Sequence, residues 1–314
     1  GIDALMKTSG LCDKPVTVGR LVFWFAPKIN AAGRLGNASR AVKLLTSHNP
    51  IFSMEIADEL EKENVKRQSI TQSISIEAEH LVRSNCDLSK DKTIILAKEG
   101  WHHGVIGIVA SKIKEIYNLP VIIITIENGV GKGSCRSIPG FDMVSALREC
   151  RTMLANFGGH PVAAGLTIEE SKLNDFKTQF LTIADKKIPK ENLIPTITVD
   201  AEMNISEINE RFLKFLHALE PYGPRNMRPI FVSRSLDVSG LPKLIGKNQD
   251  TIKFMVKNNK TLLEVIGFNM AEHFEKLILN KPIDIAYVIG ENDWNGQRYI
   301  QLELKDIKLG GAYA

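Results

Sequence analysis

The 314-residue sequence has few cysteines and no long apolar run, and each absence excludes a class of protein. Its four cysteines, at positions 12, 86, 135 and 150, are far apart and form no CxxC pair. This argues against a structural zinc site and for a reducing compartment. No stretch approaches the ~20 apolar residues of a membrane span, and the first ten residues do not resemble a signal peptide. We therefore expect a cytoplasmic protein that does not bind a membrane.

Clusters of metal-binding residues are also missing from the sequence. Its aspartates are scattered singly and cannot be assembled into a two-metal site, and no Walker loop, GxSxG or HExxH motif occurs. The neighbouring His102 and His103 would diverge in a strand or a helix, which argues against a shared metal ion. We expect no metal site in these residues. Because the chain opens on Gly1 inside a helix-like stretch, we also expect it to be a piece of a longer protein.

Positive charge is concentrated in one segment, although the formal net charge is only +4. Residues 221–260 contain eight lysines and arginines but only two aspartates. An excess of this kind predicts a polyanionic partner. The alternative is a basic face that contacts only solvent.

The apolar spacing predicts three kinds of structure along the chain. Residues 51–85 form a helical pattern that no glycine or proline interrupts, long enough to join two lobes. Strands and helices then alternate over 93–187, which indicates a layered α/β domain; a helix over 141–154 is followed by a strand over 162–168. After residue 228, five or six strand-like runs and a single helical segment fit a small barrel, with the OB fold as the leading candidate.

The stretch PKINAAGRLGNAS, at 27–39, contains the first candidate site residues. Asn30 and Arg34 lie among small residues, so both side chains project from a surface with little cover. A guanidinium group offers two parallel donors, which makes Arg34 a candidate phosphate clamp. The alternative is a loop before a helix, with Arg34 paired to a local carboxylate.

The stretch GKGSCRSIPG, at 131–140, reads as a glycine-rich strand that ends in a Pro-Gly turn. The period of two along a strand puts Ser134 and Arg136 on one face, with Ser137 next in the chain. A hydroxyl beside a guanidinium group is a plausible pocket for a terminal phosphate. The alternative is an ordinary polar strand edge.

The stretch NFGGHPVAAGLTI, at 156–168, surrounds one histidine with small residues. Gly158 and Gly159 permit a close approach to the backbone and leave His160 exposed. His160 is therefore a candidate catalytic residue, and the alternative is a purely structural histidine.

Taken together and in this order, these motifs resemble the bacterial RecJ family of single-strand-specific 5′→3′ exonucleases, which are hydrolases of the DHH phosphoesterase superfamily. The matching stretches are PKINAAGRL, WHHGVIGIVASKI, GSCRSIPGFD, GGHPVAAGLTI and LEPYGPRNMRPIF. The resemblance extends through nearly the whole chain. It implies a nuclease that removes nucleotides from the 5′ end of single-stranded DNA in DNA repair and recombination. It also implies two Mn²⁺ or Mg²⁺ ions, bound by an N-terminal DHH domain that this chain lacks.

The resemblance further implies an α/β protein of five parts. These are the tail of the DHH domain (1–50), a long linker helix (51–88), the DHH-associated α/β domain (89–190), a connecting segment (191–228) and an all-β, OB-like nucleic-acid-binding domain (229–314). Without the metal domain, we expect this segment by itself to be inactive.

Site residues follow from the resemblance position by position. Ser134 and Arg136 correspond to the pocket for the DNA 5′ phosphate, with Ser137, Arg34 and Asn30 as further contacts. Gly158, Gly159 and His160 correspond to the GGH motif, which is expected to face the metals and the scissile phosphate. Cys135 lies where many relatives have glycine or alanine, and we expect it to narrow the pocket.

The basic segment is expected to guide the incoming strand. Its contributing residues would be Arg225, Arg228, Arg234 and Lys253. Phe231 and Phe254 are candidates for stacking on bases, with core packing as the alternative. The resemblance implies single-stranded DNA as the partner, together with a single-strand-binding protein and a helicase.

Two other functions are compatible with parts of the sequence. The chain could be a nucleic-acid-binding module with no activity of its own, because it lacks metal ligands. It could also be related to enzymes that degrade short RNA oligonucleotides. Those relatives lack the OB extension, so residues 228–308 argue against this second alternative.

Overall fold

The computed structural model describes residues 1–12, 16–223, 225–279, 281–294 and 297–310. It divides into two units, Gly1–Pro195 and Thr196–Ala314. Residues 311–314, the end of the expected OB-like domain, lie outside the described residues. Within the described ranges, no helix is both long and apolar enough to cross a membrane.

The first unit begins with short helices that pack against one long helix. The short helices are α1 (Ile2–Thr8), α2 (Val18–Arg20), which continues through a π-helical turn (Leu21–Phe25) into α3 (Ala26–Leu35), and α4 (Ser39–Thr46). Leu5, Leu44 and Leu60 are fully buried between these helices and the long one. The PKINAAGRL stretch therefore forms most of a helix, α3, and not the loop that we considered as an alternative.

The long helix α5 (Pro50–Asn85) confirms the prediction over 51–85. Asn49 caps it, because the Asn49 side chain accepts hydrogen bonds from the amides of Ile51 and Phe52. Its first half packs on the short helices, and its second half packs on the α/β domain that follows. At about 1.5 Å per residue the helix spans roughly 54 Å, so it connects both parts of the first unit.

The α/β domain is built on a five-stranded sheet. The strands are β1 (Ile94–Glu99), β2 (Val121–Glu127), β3 (Val130–Arg136), β4 (Leu154–His160) and β5 (Ala163–Glu169), in the order β1-β2-β3-β5-β4. Only the β1–β2 pair is parallel among these strands. The helices are α6 (His103–Tyr117), α7 (Met143–Glu149) and α8 (Leu173–Lys187). Helices α5 and α6 cover one face of the sheet over β1 and β2, and α7 and α8 cover the other face.

Strand β4 differs from the prediction. The helix expected over 141–154 ends at Glu149, and the chain then enters a strand that includes the GGH motif. Asn and Gly have low strand propensity, so the local sequence gave no sign of β4. Pairing with β5 along its length and packing of Leu154 and Phe157 against the core outweigh that local preference.

The second unit is a closed barrel with short additional elements. Its elements are β6 (Ala201–Glu202), α9 (Glu210–Ala218), β7 (Phe231–Ile245), β8 (Thr251–Asn258), β9 (Thr261–Gly267), α10 (Phe274–Leu277), β10 (Ile283–Trp294) and β11 (Gln297–Leu309). The sheet order is β10-β11-β9-β8-β7-β6, and a β10–β7 pairing closes five strands into a barrel. This confirms the predicted OB-like architecture, with α10 between the third and fourth barrel strands.

Two sequence expectations for this unit are resolved by packing. The stretch TITVD (196–200) has a strand-like sequence but forms no strand, and the adjacent two-residue β6 pairs with β7 instead. Phe231 and Phe254 are buried in the barrel core, so the structure supports core packing over base stacking for both.

Candidate functional site

Pairing of β3, β5 and β4 brings two motifs that are separate in sequence onto one face of the sheet. Arg136 pairs with Ala163, and Ala163 pairs with His160. Directly paired residues in antiparallel strands point to the same side, and neighbouring strands lie about 4.8 Å apart. Arg136 and His160 are thus two strands apart, about 10 Å, with only a methyl group between them.

The cross-strand row next to Arg136, Ala163 and His160 consists of smaller residues. Ser134 pairs with Gly165, which pairs with Gly158. A methyl group placed at Gly158 would meet no atom within 4 Å, and one placed at Gly165 would meet only the Gly133 carbonyl oxygen, at 3.7 Å. The surface between the two motifs, which we call the floor (Gly158, His160, Ala163 and Gly165), is therefore open and lets a ligand approach the backbone.

The two glycines of the GGH motif have different reasons for being glycine. Gly159 has a φ of 145°, and a methyl group there would lie 2.6 Å from the Ala164 Cα. The fold therefore requires glycine at this position. Gly158 faces open space, so its lack of a side chain leaves room on the floor.

The imidazole of His160 lies at the exposed end of β4. Among the residues that the structure describes, it has no hydrogen-bond or ion-pair partner. A histidine that supports the fold normally has such a partner when it is buried. The ring of His160 is exposed and is therefore accessible to a ligand on the floor.

The guanidinium group of Arg136 is held in a fixed orientation. Its Nε donates to Ser111 Oγ at 2.9 Å, and its Nη1 donates to Ser134 Oγ at 3.2 Å and to the Cys135 carbonyl at 2.8 Å. The predicted shared face of Ser134 and Arg136 is thus confirmed. Helix α6 reaches this point at Gly107, where a methyl group would lie 3.0 Å from both Ser134 Oγ and Arg136 Nη2.

Arg34 lies next to this pair because α3 ends against the start of α6. Arg34 Nη1 donates to the Gly104 carbonyl at 3.2 Å, and a methyl group at Gly104 would overlap the Arg34 carbonyl. Burial lowers the pKa of Arg136, and the charge of Arg34 lowers it further. Within the described residues Arg34 has no carboxylate partner, so the ion-pair alternative is not formed. Asn30 is exposed one turn earlier on α3.

The two neighbours of Arg136 in the chain point away from the floor. Ser137 is 8% exposed, and its hydroxyl donates to the Phe141 carbonyl at 2.6 Å. Cys135 is packed in the core on the opposite face of the sheet, and burial raises the pKa of its thiol to about 12. The expectation that Cys135 narrows the pocket was therefore wrong. The hydroxyl of Ser137 is bonded to the turn that follows β3.

No part of the described structure provides a metal site. No group of three or more His, Cys, Asp or Glu side chains within the described ranges could hold a metal ion. His102 instead caps α6, because its Nδ1 accepts a hydrogen bond from the Gly104 amide at 3.1 Å, and its ring stacks on that of His103.

The second unit presents basic side chains on the outer face of β7 and β8. Lys243 on β7 pairs directly with Lys253 on β8, and Lys257 follows on the same face of β8. Like charges opposite each other weaken a ladder unless an anion or a carboxylate compensates them. Glu264 bonds Lys253 at 2.8 Å, while Lys243 and Lys257 are exposed. We call Lys243, Lys253 and Lys257 the basic strip.

The four arginines and lysines expected to guide a strand have different environments. Arg234 bonds Glu202 at 2.8 Å and Asp284 at 3.5 Å, and Arg228 lies 5.7 Å from the centre of the Tyr222 ring. Arg225 is exposed, with a positive φ of 72°. Lys253 belongs to the basic strip. Sequence reasoning missed Lys243 and Lys257 as its companions, because the signal that groups them is strand register and not spacing.

Comparison with known protein families finds one match over the α/β domain and one over the barrel unit. The DHHA1 domain family matches residues 90–186, and the RecJ OB domain family matches residues 199–306. The chain is 34% identical over 309 residues to the single-stranded-DNA-specific exonuclease RecJ of Bacillus subtilis. The aligned region covers 98% of this chain and 39% of that protein.

Two crystal structures of Thermus thermophilus RecJ, one with Mg²⁺ and one with Mn²⁺, are also similar. Both superpose with a TM-score of 0.82 at 26% identity. They cover 98% and 99% of this chain, and 46% and 44% of the solved chains. The chain thus spans less than half the length of each of these relatives.

Proposed function

The chain belongs to the RecJ family, and we propose that it supplies one half of the active site of a single-strand-specific 5′→3′ exodeoxyribonuclease. The observation that carries this proposal is the row formed by Arg136, Ala163 and His160. In it, a candidate phosphate clamp and a candidate catalytic histidine face the same open floor.

The two ends of the floor have different tasks in this proposal. Ser134 and Arg136, assisted by Arg34 and Asn30, bind the 5′-terminal phosphate through charge-assisted hydrogen bonds. His160 contacts the following phosphodiester, the bond to be hydrolysed, and Gly158 leaves space for it. Because the clamp lies at one end only, a strand can enter in one direction, which gives 5′→3′ polarity. Ser137 supports the clamp by fixing the turn after β3.

The two Mn²⁺ or Mg²⁺ ions that the family implies do not fit the described residues of this chain. We propose that another part of the protein binds them and that this chain is inactive by itself. Exposed apolar residues in the first unit support such an additional part. Val22, Phe23 and Trp24 are consecutive and exposed, and Phe23 is 77% accessible. Patches of this kind on soluble proteins usually contact another protein surface.

In this proposal the barrel binds the single strand. Its fold is typical of single-strand binders, and the basic strip, together with Arg225, Arg228 and Arg234, supplies positive charge along its surface. We extend the proposal to DNA repair and recombination in the cytoplasm, with a single-strand-binding protein and a helicase as partners that supply and deliver single strands.

Binding of a 5′ phosphate by Arg136 tests the proposal directly. We expect the 314-residue chain to bind a 5′-phosphorylated oligothymidylate more tightly than its 5′-hydroxyl counterpart, measured by fluorescence anisotropy with a 3′ label. Arg136→Ala should lower the ratio of the 5′-hydroxyl Kd to the 5′-phosphate Kd at least about tenfold. A hydrogen bond to a charged group contributes about 1.5–3 kcal/mol. Equal losses on both ends would contradict the assigned role.

A binding module without any enzymatic role is the second candidate, and the closed barrel with its basic strip favours it. Both candidates predict that the chain alone, with Mn²⁺, leaves single strands intact. They differ in the intact protein: His160→Ala there should lower the rate of hydrolysis at least about 100-fold if His160 acts on the reacting phosphate. An unchanged rate would leave only the binding role. The barrel argues against a function in degrading short RNA oligonucleotides, because the relatives with that function lack the OB extension.

A further inference from the structure

A third guanidinium group, that of Arg67 on α5, lies on the side of the long helix that packs against the end of α3. The end of α3 contacts the face of α5 that includes Arg67. A methyl group at Gly36 would lie 3.0 Å from Glu63 Oε1, and Leu35 packs against the same core as Ile70. Residues spaced by three and four lie on one side of a helix, so Arg67 shares the side of Glu63 and Ile70. Arg67 therefore faces the end of α3, where Arg34 is located.

The guanidinium of Arg67 is oriented but not neutralised. Its Nη2 donates to Asn64 Oδ1 at 2.8 Å, and its Nε is buried without a hydrogen-bond partner. Asn64 is itself buried on α5, so this hydrogen bond fixes the Arg67 side chain against its own helix. Arg40, on the neighbouring α4, has by contrast two carboxylate partners, Glu59 and Glu63.

Electrostatics connects Arg67 with the clamp. Burial lowers the pKa of Arg67, and the charge of Arg34 lowers it further; the same two causes act on Arg136. The charge of Arg34 thus acts on both other guanidinium groups. In the described part of the chain, none of the three forms an ion pair with a carboxylate. Partly buried like charges without a counter-ion are unfavourable, and a bound anion would compensate them.

We propose that Arg67 is the third guanidinium group of the 5′-phosphate pocket and that this third charge makes the pocket selective for a terminal phosphate monoester. The inference rests on the proposed function, because it assumes that Arg136 binds the 5′ end. A terminal monoester has a charge of about −1.5 to −2 at neutral pH, whereas an internal diester has only one negative charge. A pocket with three cations gains more from the former than a pocket with two. Arg67 thereby sets specificity from the long helix, outside the α/β domain.

The test compares the preference for a 5′ phosphate in matched variants of the 314-residue chain. The ratio of the Kd values for 5′-hydroxyl and 5′-phosphorylated oligothymidylate is measured at one salt concentration for the unsubstituted chain, Arg67→Gln, Arg67→Lys and Arg83→Gln. Arg83 is an exposed arginine further along α5 and serves as the control for loss of one charge from that helix. The melting temperature without oligonucleotide shows whether each variant is folded.

Arg67→Gln should lower the ratio about tenfold while changing the Kd of the 5′-hydroxyl strand less than twofold, because one charged hydrogen-bonding partner of the phosphate is lost. Arg67→Lys should lower the ratio about threefold, since it retains the charge but loses the planar fork. Arg83→Gln should leave the ratio unchanged. If Arg67→Gln does not fold, Arg67→Lys decides, and an unchanged ratio in it overturns the inference.

The outcomes separate this inference from the proposed function. A ratio that falls in Arg136→Ala but not in Arg67→Gln would overturn the role of Arg67 and leave the clamp in place. An unsubstituted chain without any preference for the 5′ phosphate would overturn both. A parallel fall in affinity for both kinds of strand would show that Arg67 supports the fold and does not read the phosphate.

Discussion

His160 and Arg136 lie in a single cross-strand row, separated only by the methyl group of Ala163. The row defines the width of the proposed site, about 10 Å, because it spans two inter-strand distances. It also explains why small residues are found between the two motifs. A larger side chain at this position or in the next row would occupy the space in which a nucleotide must lie.

Filling the floor should block binding without unfolding the protein. Gly165 lies in the middle of the second row, and a methyl group placed there would make only an ordinary contact with the Gly133 carbonyl oxygen. We expect Gly165→Leu to weaken binding of 5′-phosphorylated single strands at least about tenfold and to change the free energy of unfolding by less than about 1 kcal/mol. Val162→Leu, at the exposed hairpin turn, serves as the control. Unchanged affinity in Gly165→Leu would show that the strand does not cross the floor.

The adjacent glycines of the GGH motif should respond differently to the same substitution. Gly159→Ala is expected to cost about 2–3 kcal/mol of stability, because it combines an unfavourable φ with overlap of β5. Gly158→Ala should change stability by less than about 1 kcal/mol, since the new methyl group faces open space. Urea denaturation of both variants measures the difference. Similar losses in the two variants would contradict the assigned backbone geometry.

The sequence predicts the elements of this site better than their arrangement. The uninterrupted pattern of α5 and the period of two through Ser134 and Arg136 were sufficient to predict a long helix and a shared strand face. Strand β4 could not be predicted, because Asn156, Gly158 and Gly159 disfavour a strand locally and only pairing with β5 stabilises it.

Long-range register explains the other differences. Cys135 was expected to narrow the pocket because many relatives have glycine or alanine there, yet alternation along β3 directs it into the core. Arg67 is more than thirty residues from Arg34 in the chain, and only the packing of α3 on α5 brings it to the clamp. The spacing of residues within a motif predicts which side chains share a face of one helix or strand. It does not predict which helices and strands pack against each other.

Stability of the second unit should fall as pH rises above neutral. His217 bonds Glu220 through Nδ1 at 3.1 Å and Glu291 through Nε2 at 2.8 Å, and these two hydrogen bonds raise its pKa above the usual 6.5. A group whose pKa is raised by folding stabilises the folded state fully below its unfolded pKa. It loses that contribution as pH rises through the folded pKa.

We expect a contribution below about 1 kcal/mol, because the side chain is half exposed and screened by solvent. The measurement compares the melting temperature of the unsubstituted chain with that of His217→Gln from about pH 5.5 to pH 8.5, on both sides of the usual histidine pKa. The two should differ most at low pH and converge at high pH. A difference that is constant over this range would exclude the ion pairs as its cause.

Reversing one charge of the basic strip should have opposite effects on stability and on binding. Lys243 pairs directly with Lys253, which already bonds Glu264, so Lys243→Glu removes the like-charge pair and places a second carboxylate opposite Lys253. We expect the barrel to gain a few tenths of a kcal/mol, up to about 1 kcal/mol. Affinity for single-stranded DNA should fall, and the slope of log K against log salt should become less steep by about 0.7 for one lost phosphate contact.

Anisotropy titrations at several salt concentrations, together with thermal denaturation, measure both effects, and Lys260→Glu in the β8–β9 turn is the control outside the strip. A stable barrel that gained stability while it kept its affinity and its salt dependence would show that the strand does not contact this face. A barrel that lost both stability and affinity would indicate a structural role for Lys243. Only the combination of higher stability and weaker binding fits a surface on which Lys243 contacts a phosphate of the strand.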